Sequence, residues 1–183
     1  MDDRTRWLIA GGAMVAPALH SVTDIMEWVQ GGFSTPQLWL NYLAFLPLPA
    51  VLLGLCAVQG SRLPRSALFG ALLYGAAFIY FAHTTLYALA TGVREYAALW
   101  DQLGAFYTFN GGLMVVGGLL FGIGTLRAGV FPRWTASLFL LGLLVNLVLV
   151  VLPVPDILQT LGSAVRNAGL VGMGWCASRP EGT

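Results

Sequence analysis

The chain has 183 residues, of which 57% are hydrophobic and only 9% are charged, and its mean hydropathy is +0.77. This length suits one domain spanning 1–183, and apolar runs of about 20 residues recur along it, which excludes an ordinary soluble protein. The formal net charge of +1 provides no basic surface for nucleic acid. We therefore expect an all-α, polytopic transmembrane helix bundle in a lipid bilayer.

Each apolar stretch is long enough to cross a hydrocarbon core of about 30 Å at about 1.5 Å per residue. Short segments with turn-forming Gly, Pro and Ser separate these stretches. Within the second stretch, Pro47 and Pro49 predict a kink, because proline removes a helical hydrogen bond. The six predicted spans are 7–29, 38–58, 66–90, 100–125, 134–152 and 157–177.

The arginines predict the orientation. All nine basic residues are Arg, and seven of them fall on one side of the membrane if the spans alternate. The positive-inside rule then places both termini in the cytoplasm, which indicates a multi-pass protein of the cell inner (plasma) membrane. The absence of Lys, with abundant Ala, Gly and Leu, is typical of a GC-rich bacterial genome. The seven arginines are Arg4, Arg6, Arg62, Arg65, Arg127, Arg133 and Arg179.

The N-terminal segment has a second interpretation. Residues 1–18 contain two arginines, an apolar stretch and "APA", the features of a cleaved signal peptide. The apolar pattern continues beyond Ala18, however, and cleavage would leave an odd number of spans that conflicts with the arginine distribution. We therefore expect the first span to be retained.

Cysteines and small residues predict packing rather than chemistry. Cys56 and Cys176 fall near predicted cytoplasmic helix ends, which disfavours a disulfide, and their spacing fits no metal site. Gly118 and Gly122 form a GxxxG in the fourth span, which permits close helix approach. A second small-residue stripe follows in the sixth span. We expect packing within one bundle, with a homo-oligomer face as the alternative. The second stripe is Ala164, Ala168 and Gly172.

Ionisable residues gather near the end of the first span. In "HSVTDIMEW", His20, Asp24 and Glu27 are spaced by four and three, which places them on one helix stripe. His20 is about 20 Å along the helix from Trp7, in the predicted outer half of the membrane. Lipid exposure of these groups would be costly, so they should face the bundle interior. Solvated interfacial positions for Asp24 and Glu27 remain the alternative.

Polar residues of the other spans fall at a similar depth. They predict one outward-facing polar cavity, above cytoplasmic halves that are almost entirely apolar. Arg166 is the deepest cation, and we expect an ion pair with Asp24 or Glu27. For the remaining residues, a structural hydrogen bond or an interfacial aromatic belt is the alternative. The predicted ligand-binding residues are Asn41, Tyr80, Tyr107, Asn110, Asn146, Arg166 and Asn167.

This cavity favours binding or catalysis on an apolar ligand such as an isoprenoid, sterol or lipid. His20, Asp24, Glu27 and His83 are the candidate catalytic acids and bases, because burial can separate the pKa values of a His and a carboxylate. A haem or metal held by the two histidines is an alternative, although no recognisable metal-ligand motif is present. Transport and a non-catalytic assembly or sensor role also remain open. The sequence assigns no cofactor.

Two segments carry resemblances. "TLRAGVFPRWTASLFLLGLL" resembles the connection between the fourth and fifth helices of small six-helix bacterial membrane proteins of unknown function. "HSVTD" is similar to the His-x-x-x-Glu on a membrane helix of the emopamil-binding sterol isomerase family. That resemblance implies that His20 and Asp24 act as acid and base, with Tyr107 and Asn110 nearby. This chain has Asp in place of the family's Glu, and its six predicted spans differ from the family's helix arrangement.

Overall fold

Helices make up all the regular structure in the described residues of the computed structural model, which are 1–150 and 156–179. A short 3₁₀ turn at Gly60–Arg62 follows the third helix. The helices are α1 (Asp3–Gln30), α2 (Thr35–Phe45), α3 (Leu48–Gln59), α4 (Arg65–Thr91), α5 (Tyr96–Ala128), α6 (Arg133–Val150) and α7 (Asp156–Ala177).

Local sequence signals set the ends of these helices. The Asp2 carboxylate accepts a 2.6 Å hydrogen bond from the Thr5 amide and caps α1, and this bond lowers the pKa of the Asp2 carboxyl. Gly31 ends α1 in the left-handed conformation at φ 66°, where a side chain would be strained. Its amide reaches back to carbonyls of the last turn of α1, which satisfies them.

The predicted kink in the second span is confirmed. α2 ends at Phe45 and α3 begins at Leu48, so the helix is interrupted around Pro47. A second interruption, at Gly104, was not predicted: this residue has φ 55° inside α5. It separates an initial segment, 96–103, from the rest of α5. The two breaks allow α2 and the start of α5 to take directions different from the helices that continue them.

The helices close into a ring. Except for α2 and α3, helices that follow each other pack side by side, and α1 packs against both the α2–α3 pair and α7. The contacts of Gly117 with Gly70 and of Gly124 with Ala67 show that α4 and α5 are antiparallel. Because the helix is interrupted near Pro47, α2 and α3 together occupy one position in the ring, between α1 and α4. The core inside this ring is mainly aromatic and aliphatic, and includes Tyr74, Phe78, Phe121, Phe139 and Leu143.

Glycines allow the closest helix contacts. A Cβ at Gly118 would lie 2.7 Å from a Leu143 methyl, and one at Gly122 would lie 2.6 Å from a methyl of Leu140. The predicted GxxxG therefore packs against α6 within the bundle. α4 and α5 approach even more closely, because a Cβ at Gly117 would lie 2.5 Å from the Tyr74 backbone nitrogen.

Within the described residues, four helical segments are long and apolar enough to cross a membrane: Asp3–Gln30, Thr35–Arg62, Arg65–Thr91 and Tyr96–Ala128. Arg133–Leu149 is apolar but shorter. These segments agree with the predicted membrane helix bundle. Residues 151–155 lie outside the described part of the chain. They include the predicted end of the fifth span and most of the segment that joins it to the sixth.

The α4–α5 contact predicts a selective effect of glycine substitution. Gly117→Ala should lower thermal stability, because the added methyl would meet the Tyr74 backbone at 2.5 Å and the Gly70 carbonyl oxygen at 2.8 Å. Overpacking of this kind costs about 1–3 kcal/mol. Gly111→Ala, in the same helix with nothing within 4 Å, is the matched control. Thermal unfolding in detergent would measure both, and equal melting temperatures would contradict this packing.

Candidate ligand-binding cavity

A cavity of about 620 Å³ lies at one end of the ring. Its walls come from the C-terminal halves of α1 and α6 and the N-terminal parts of α5 and α7, which meet there because the helices are antiparallel. This volume falls in the range of small-molecule sites, about 300–1,000 Å³. Gly31 and Gly32, in the turn between α1 and α2, line the cavity mouth.

The cavity lining includes acidic and aromatic side chains beside neutral polar ones. Asp24, Glu27 and Glu95 contribute three carboxyl groups, and the described lining contains no Arg. Three aromatic side chains accompany them: Trp28, Tyr96 and Trp100. The cavity therefore combines concentrated negative charge with large aromatic faces.

His20 and Asp24 form the polar contact on the α1 wall. Nε2 of His20 lies 3.3 Å from Oδ1 of Asp24, one helical turn away. The imidazole is packed edge-on against Phe45, with ring centroids 4.7 Å apart, and against Phe78 at 6.0 Å. These two rings come from α2 and α4 and fix the imidazole orientation. His20 is 6% exposed, and its Nδ1 is buried without a hydrogen-bond partner.

This contact constrains the proton on the imidazole. An ionised carboxylate only accepts hydrogen bonds, so Nε2 carries a proton when it bonds to ionised Asp24. In the neutral ring the lone pair is then on Nδ1. The arrangement resembles the carboxylate–imidazole unit of many acid–base sites, in which the carboxylate holds the tautomer and orientation of the ring.

Asn146 joins α6 to α7 at the opposite wall. Its side-chain amide donates to the Ser163 hydroxyl at 2.9 Å and to the Gln159 carbonyl at 3.4 Å. A Cβ at Gly162 would collide with the Asn146 side-chain oxygen, so the glycine is what lets the asparagine pack there. The Oδ1 atom of Asn146 is buried and accepts no hydrogen bond.

An aromatic cluster extends from the cavity mouth to α4. Tyr107 lies at its centre, with ring centroids 5.7 Å from both Tyr96 and Trp100, 5.6 Å from Phe81 and 6.4 Å from Tyr80. The break at Gly104 permits this packing, because it separates the helical segment carrying Tyr96 and Trp100 from the one carrying Tyr107. Tyr80 and Tyr107 thus support the cavity wall, and neither is among its lining residues.

His83 does not lie in the cavity, contrary to the sequence prediction. It is exposed, and its Nδ1 lies 2.7 Å from the Ile79 carbonyl of its own helix. The face of α4 that carries it is the outer one, because Tyr74, Phe78 and Ala82 form the buried face. His20 and His83 therefore do not face a shared haem or metal. Within the described residues, no group of three or more His, Cys, Asp or Glu could hold a metal ion.

The remaining predicted polar residues make structural hydrogen bonds outside the cavity lining. Asn41 accepts from the Thr23 hydroxyl at 3.1 Å and joins α2 to α1. Asn110 donates to the Phe106 carbonyl of its own helix at 2.9 Å. Asn167 donates to the Ser21 hydroxyl at 3.0 Å and joins α7 to α1. Their predicted placement in one cavity with His20 is therefore corrected.

Arg166 also differs from the prediction. Among residues 1–149 and 157–179, it makes no ion pair with Asp24 or Glu27. It is 3% exposed, with one guanidinium nitrogen 3.8 Å from the Met114 sulfur, and its Nε has no partner. It interacts electrostatically with Tyr74, whose buried hydroxyl also lacks a partner. The Arg166 side chain thus points toward α4 and α5.

Sequence reasoning missed part of the cavity and a second polar contact. Glu95, Tyr96 and Trp100 line the cavity but are absent from the predicted site, and nothing in their spacing marks them as lining residues. At the other end of the bundle, Gln59 donates to the Thr125 hydroxyl at 3.3 Å, and both residues are buried. That end is therefore less uniformly apolar than predicted.

Comparisons of the chain with protein-family models, with curated proteins and with solved structures gave no significant match.

The environment of Arg166 predicts an unusual mutational response. Arg166→Met should preserve or raise the melting temperature, because it removes a desolvated cation that lacks a carboxylate partner while keeping most of the side-chain volume. Combining it with Asp24→Asn should give an additive effect, as expected for groups that share no contact. Thermal unfolding in detergent measures both. A large loss in Arg166→Met that Asp24→Asn partly reverses would instead indicate an ion pair.

Proposed function

We propose that the chain is a multi-pass inner-membrane protein that binds an amphiphilic small molecule in its end cavity and acts on it through His20 and Asp24. The observation that carries this proposal is the 3.3 Å His20–Asp24 contact on the wall of a cavity of about 620 Å³. In this proposal the ligand has a polar group facing these residues and an apolar body against the aromatic side chains.

The proposed topology has six crossings, with α2 and α3 together forming one of them. It places both termini in the cytoplasm and the cavity on the opposite, outer side. Two observations support it: the antiparallel packing of successive helices and the seven arginines on the side away from the cavity. Arg6 supports the end assignment further, because it donates to the Ala177 carbonyl at 2.7 Å and so holds the start of α1 and the end of α7 together.

The proposed chemistry is proton transfer. A neutral His20 with its proton on Nε2 has its basic lone pair on Nδ1, and Asp24 stabilises the imidazolium that forms when this nitrogen takes a proton. Phe45 and Phe78 exclude water from the ring, which strengthens its interaction with Asp24. Nδ1 is covered in this conformation, so a small movement of the ring or of its aromatic neighbours must precede proton transfer to a ligand.

Topology can be tested with reporter fusions. Fusions after Gly60, Gly129 and Ser178 should all report a cytoplasmic location, because the segments around these residues lie at the arginine-rich end. A fusion after Gly92, at the cavity end of α4, should report the outer side. A single reversed signal among the four would overturn the proposed orientation.

Cavity occupancy can be tested by blocking the mouth. Ala97 is exposed and lines the cavity, so Ala97→Trp should fill part of it without burying a new group. Mass spectrometry of organic extracts should find a small molecule that co-purifies with the parent protein and is depleted at least about tenfold in Ala97→Trp, a change of roughly 1.4 kcal/mol in binding. Ala90→Trp, at an exposed position on α4 outside the lining, is the matched control. Identical extracts from all three proteins would contradict the proposal.

A further inference from the structure

We propose that a membrane phospholipid with an anionic headgroup binds in a groove on the outer surface of the bundle, with an acyl chain along α7 and its phosphate beside Arg133 and Arg179. The groove has a volume of about 530 Å³. α7 forms its floor, and α1 and α6, which pack on either side of α7, form its walls. The inference goes beyond the proposed function, because the groove shares no lining residue with the end cavity.

α7 turns an apolar face outward and polar residues inward, the reverse of a helix that faces water. Leu161, Ala168 and Trp175 are spaced by seven residues, so they share one face, and all three are exposed. Arg166 and Asn167, by contrast, are buried. Polar residues of a membrane helix face the bundle interior in this way. The outer face of α7, with the groove on it, is therefore the face that contacts lipid chains.

The shape of the groove suits a hydrocarbon chain. Its floor extends from Ala164 to Trp175, which is about 16 Å along α7. The floor is low because it consists largely of small residues, among them Ala168 and Gly172. A Cβ at Gly172 would collide with the Trp134 ring, so this glycine lets the ring lie over α7 as part of one wall.

The chemistry of the lining also suits hydrocarbon. Apolar atoms make up most of the groove surface. The two polar side chains of the lining bond to each other, because Asn167 donates to the Ser21 hydroxyl at 3.0 Å. An acyl chain in the groove would therefore cover apolar surface without breaking this hydrogen bond.

Tryptophans mark one end of the groove. The start of α1 and the end of α7 meet there through the bond from Arg6 to Ala177. Each of the three helices has an exposed tryptophan at this end: Trp7 on α1, Trp134 on α6 and Trp175 on α7. The sequences of α3, α4 and the C-terminal half of α5 contain none. A general aromatic belt would not be confined to the helices of the groove.

Arg179 is held at this end by two contacts. Its guanidinium carbon lies 5.2 Å from the centre of the Trp175 ring, which is a cation–π contact with a lining residue. Its backbone carbonyl accepts a 2.8 Å hydrogen bond from Arg6, which ties this part of the chain to α1. A positive charge is thus fixed where the headgroup of a lipid in the groove would lie.

Two other exposed arginines lie close to the tryptophans in the chain. Arg133 directly precedes Trp134, and Arg4 lies within one turn of the α1 tryptophan. The acids at this end within the described residues are Asp2 and Asp3, and the Asp2 carboxylate already caps α1. Positive charge therefore predominates at the end of an apolar groove between helices. This combination is typical of sites that bind anionic lipid headgroups.

A second copy of the chain would fit this surface less well. Two copies in one membrane have the same orientation, so a symmetric contact through α7 would bring Arg133 and Arg179 of both copies to the same end. Like charges would then repel each other, whereas a lipid phosphate would compensate them.

Two lipids with identical chains separate the headgroup from the chains. They are dioleoyl phosphatidylglycerol, which is anionic, and dioleoyl phosphatidylcholine, which has no net charge. Native mass spectrometry of the purified protein in a maltoside detergent would measure how many molecules bind and how tightly. We expect one phosphatidylglycerol to bind at least about tenfold more tightly than phosphatidylcholine.

Charge variants locate the headgroup. Combining Arg133→Gln with Arg179→Gln should weaken phosphatidylglycerol binding at least about fivefold and leave phosphatidylcholine binding unchanged. Combining Arg62→Gln with Arg65→Gln is the matched control, since it removes the same charge from exposed residues beside and in α4, outside the groove. This control should leave both affinities unchanged.

A groove-filling variant locates the acyl chain. Ala168→Phe should weaken the binding of both lipids at least about threefold, because the ring occupies the floor of the groove. Ala76→Phe, at an exposed position on the outer face of α4, is the matched control and should change neither affinity. Ala97→Trp, which fills the end cavity, should also change neither, so this test is independent of the proposed function.

Three outcomes would overturn the proposal. Equal binding of the two lipids would show that the arginines do not select the headgroup. Equal losses in the groove variants and in their matched controls on α4 would show that the lipids bind to the surface of the bundle in general. A lipid-free dimer that Ala168→Phe dissociates would show that a second copy of the chain occupies the groove.

Discussion

The closure of the helix ring depends on the contact between α1 and α7. Three contacts mark it: Arg6 donates to the Ala177 carbonyl at the end of α7, Gly174 packs against Ala13 of α1, and Asn167 donates to Ser21 nearer the cavity. A Cβ at Gly174 would lie 2.8 Å from the Ala13 Cβ, so small residues on both sides set the distance. Because α7 is held this way, Ser163 and Gln159 face the same space as the acidic stripe of α1.

A second constraint is the high cost of burying polar groups in an apolar bundle. Most buried polar side chains in the described residues bond to a carbonyl of their own helix or to a neighbouring helix, as Thr23, Asn110 and Asn167 do. Seven buried side-chain atoms in the described residues lack a hydrogen-bond partner, and two of them belong to His20 and Asn146, which line the end cavity. An unpaired buried polar atom is destabilising, and the bundle carries this cost at several positions along its length.

The helices and the inward face of α1 could be predicted from sequence, but the faces of the other helices could not. The lengths of the apolar runs predict the spans, and proline predicts the break near Pro47. The spacing of His20, Asp24 and Glu27 predicts that they share one face of α1. On α4, however, His83 and Ala82 differ by one residue, which is roughly 100° around the helix. Packing of Ala82, Phe78 and Tyr74 turns that face inward and leaves His83 outside. Polar residues at similar depths on two helices therefore need not face each other.

The same limit explains Arg166 and the acidic mouth of the cavity. Depth along α7 correctly places Arg166 well inside the bundle, but its rotation around the helix directs it to Met114 rather than to a carboxylate. Glu95 and Trp100 line the cavity because the helix breaks at Gly104. An isolated glycine in an apolar run does not by itself predict such a break. Taken together, these two departures change the composition of the site: Arg166 lies away from the α1 carboxylates, and Glu95 joins the cavity lining. The composition of the cavity wall thus arises from tertiary packing, while the sequence supplies only its separate parts.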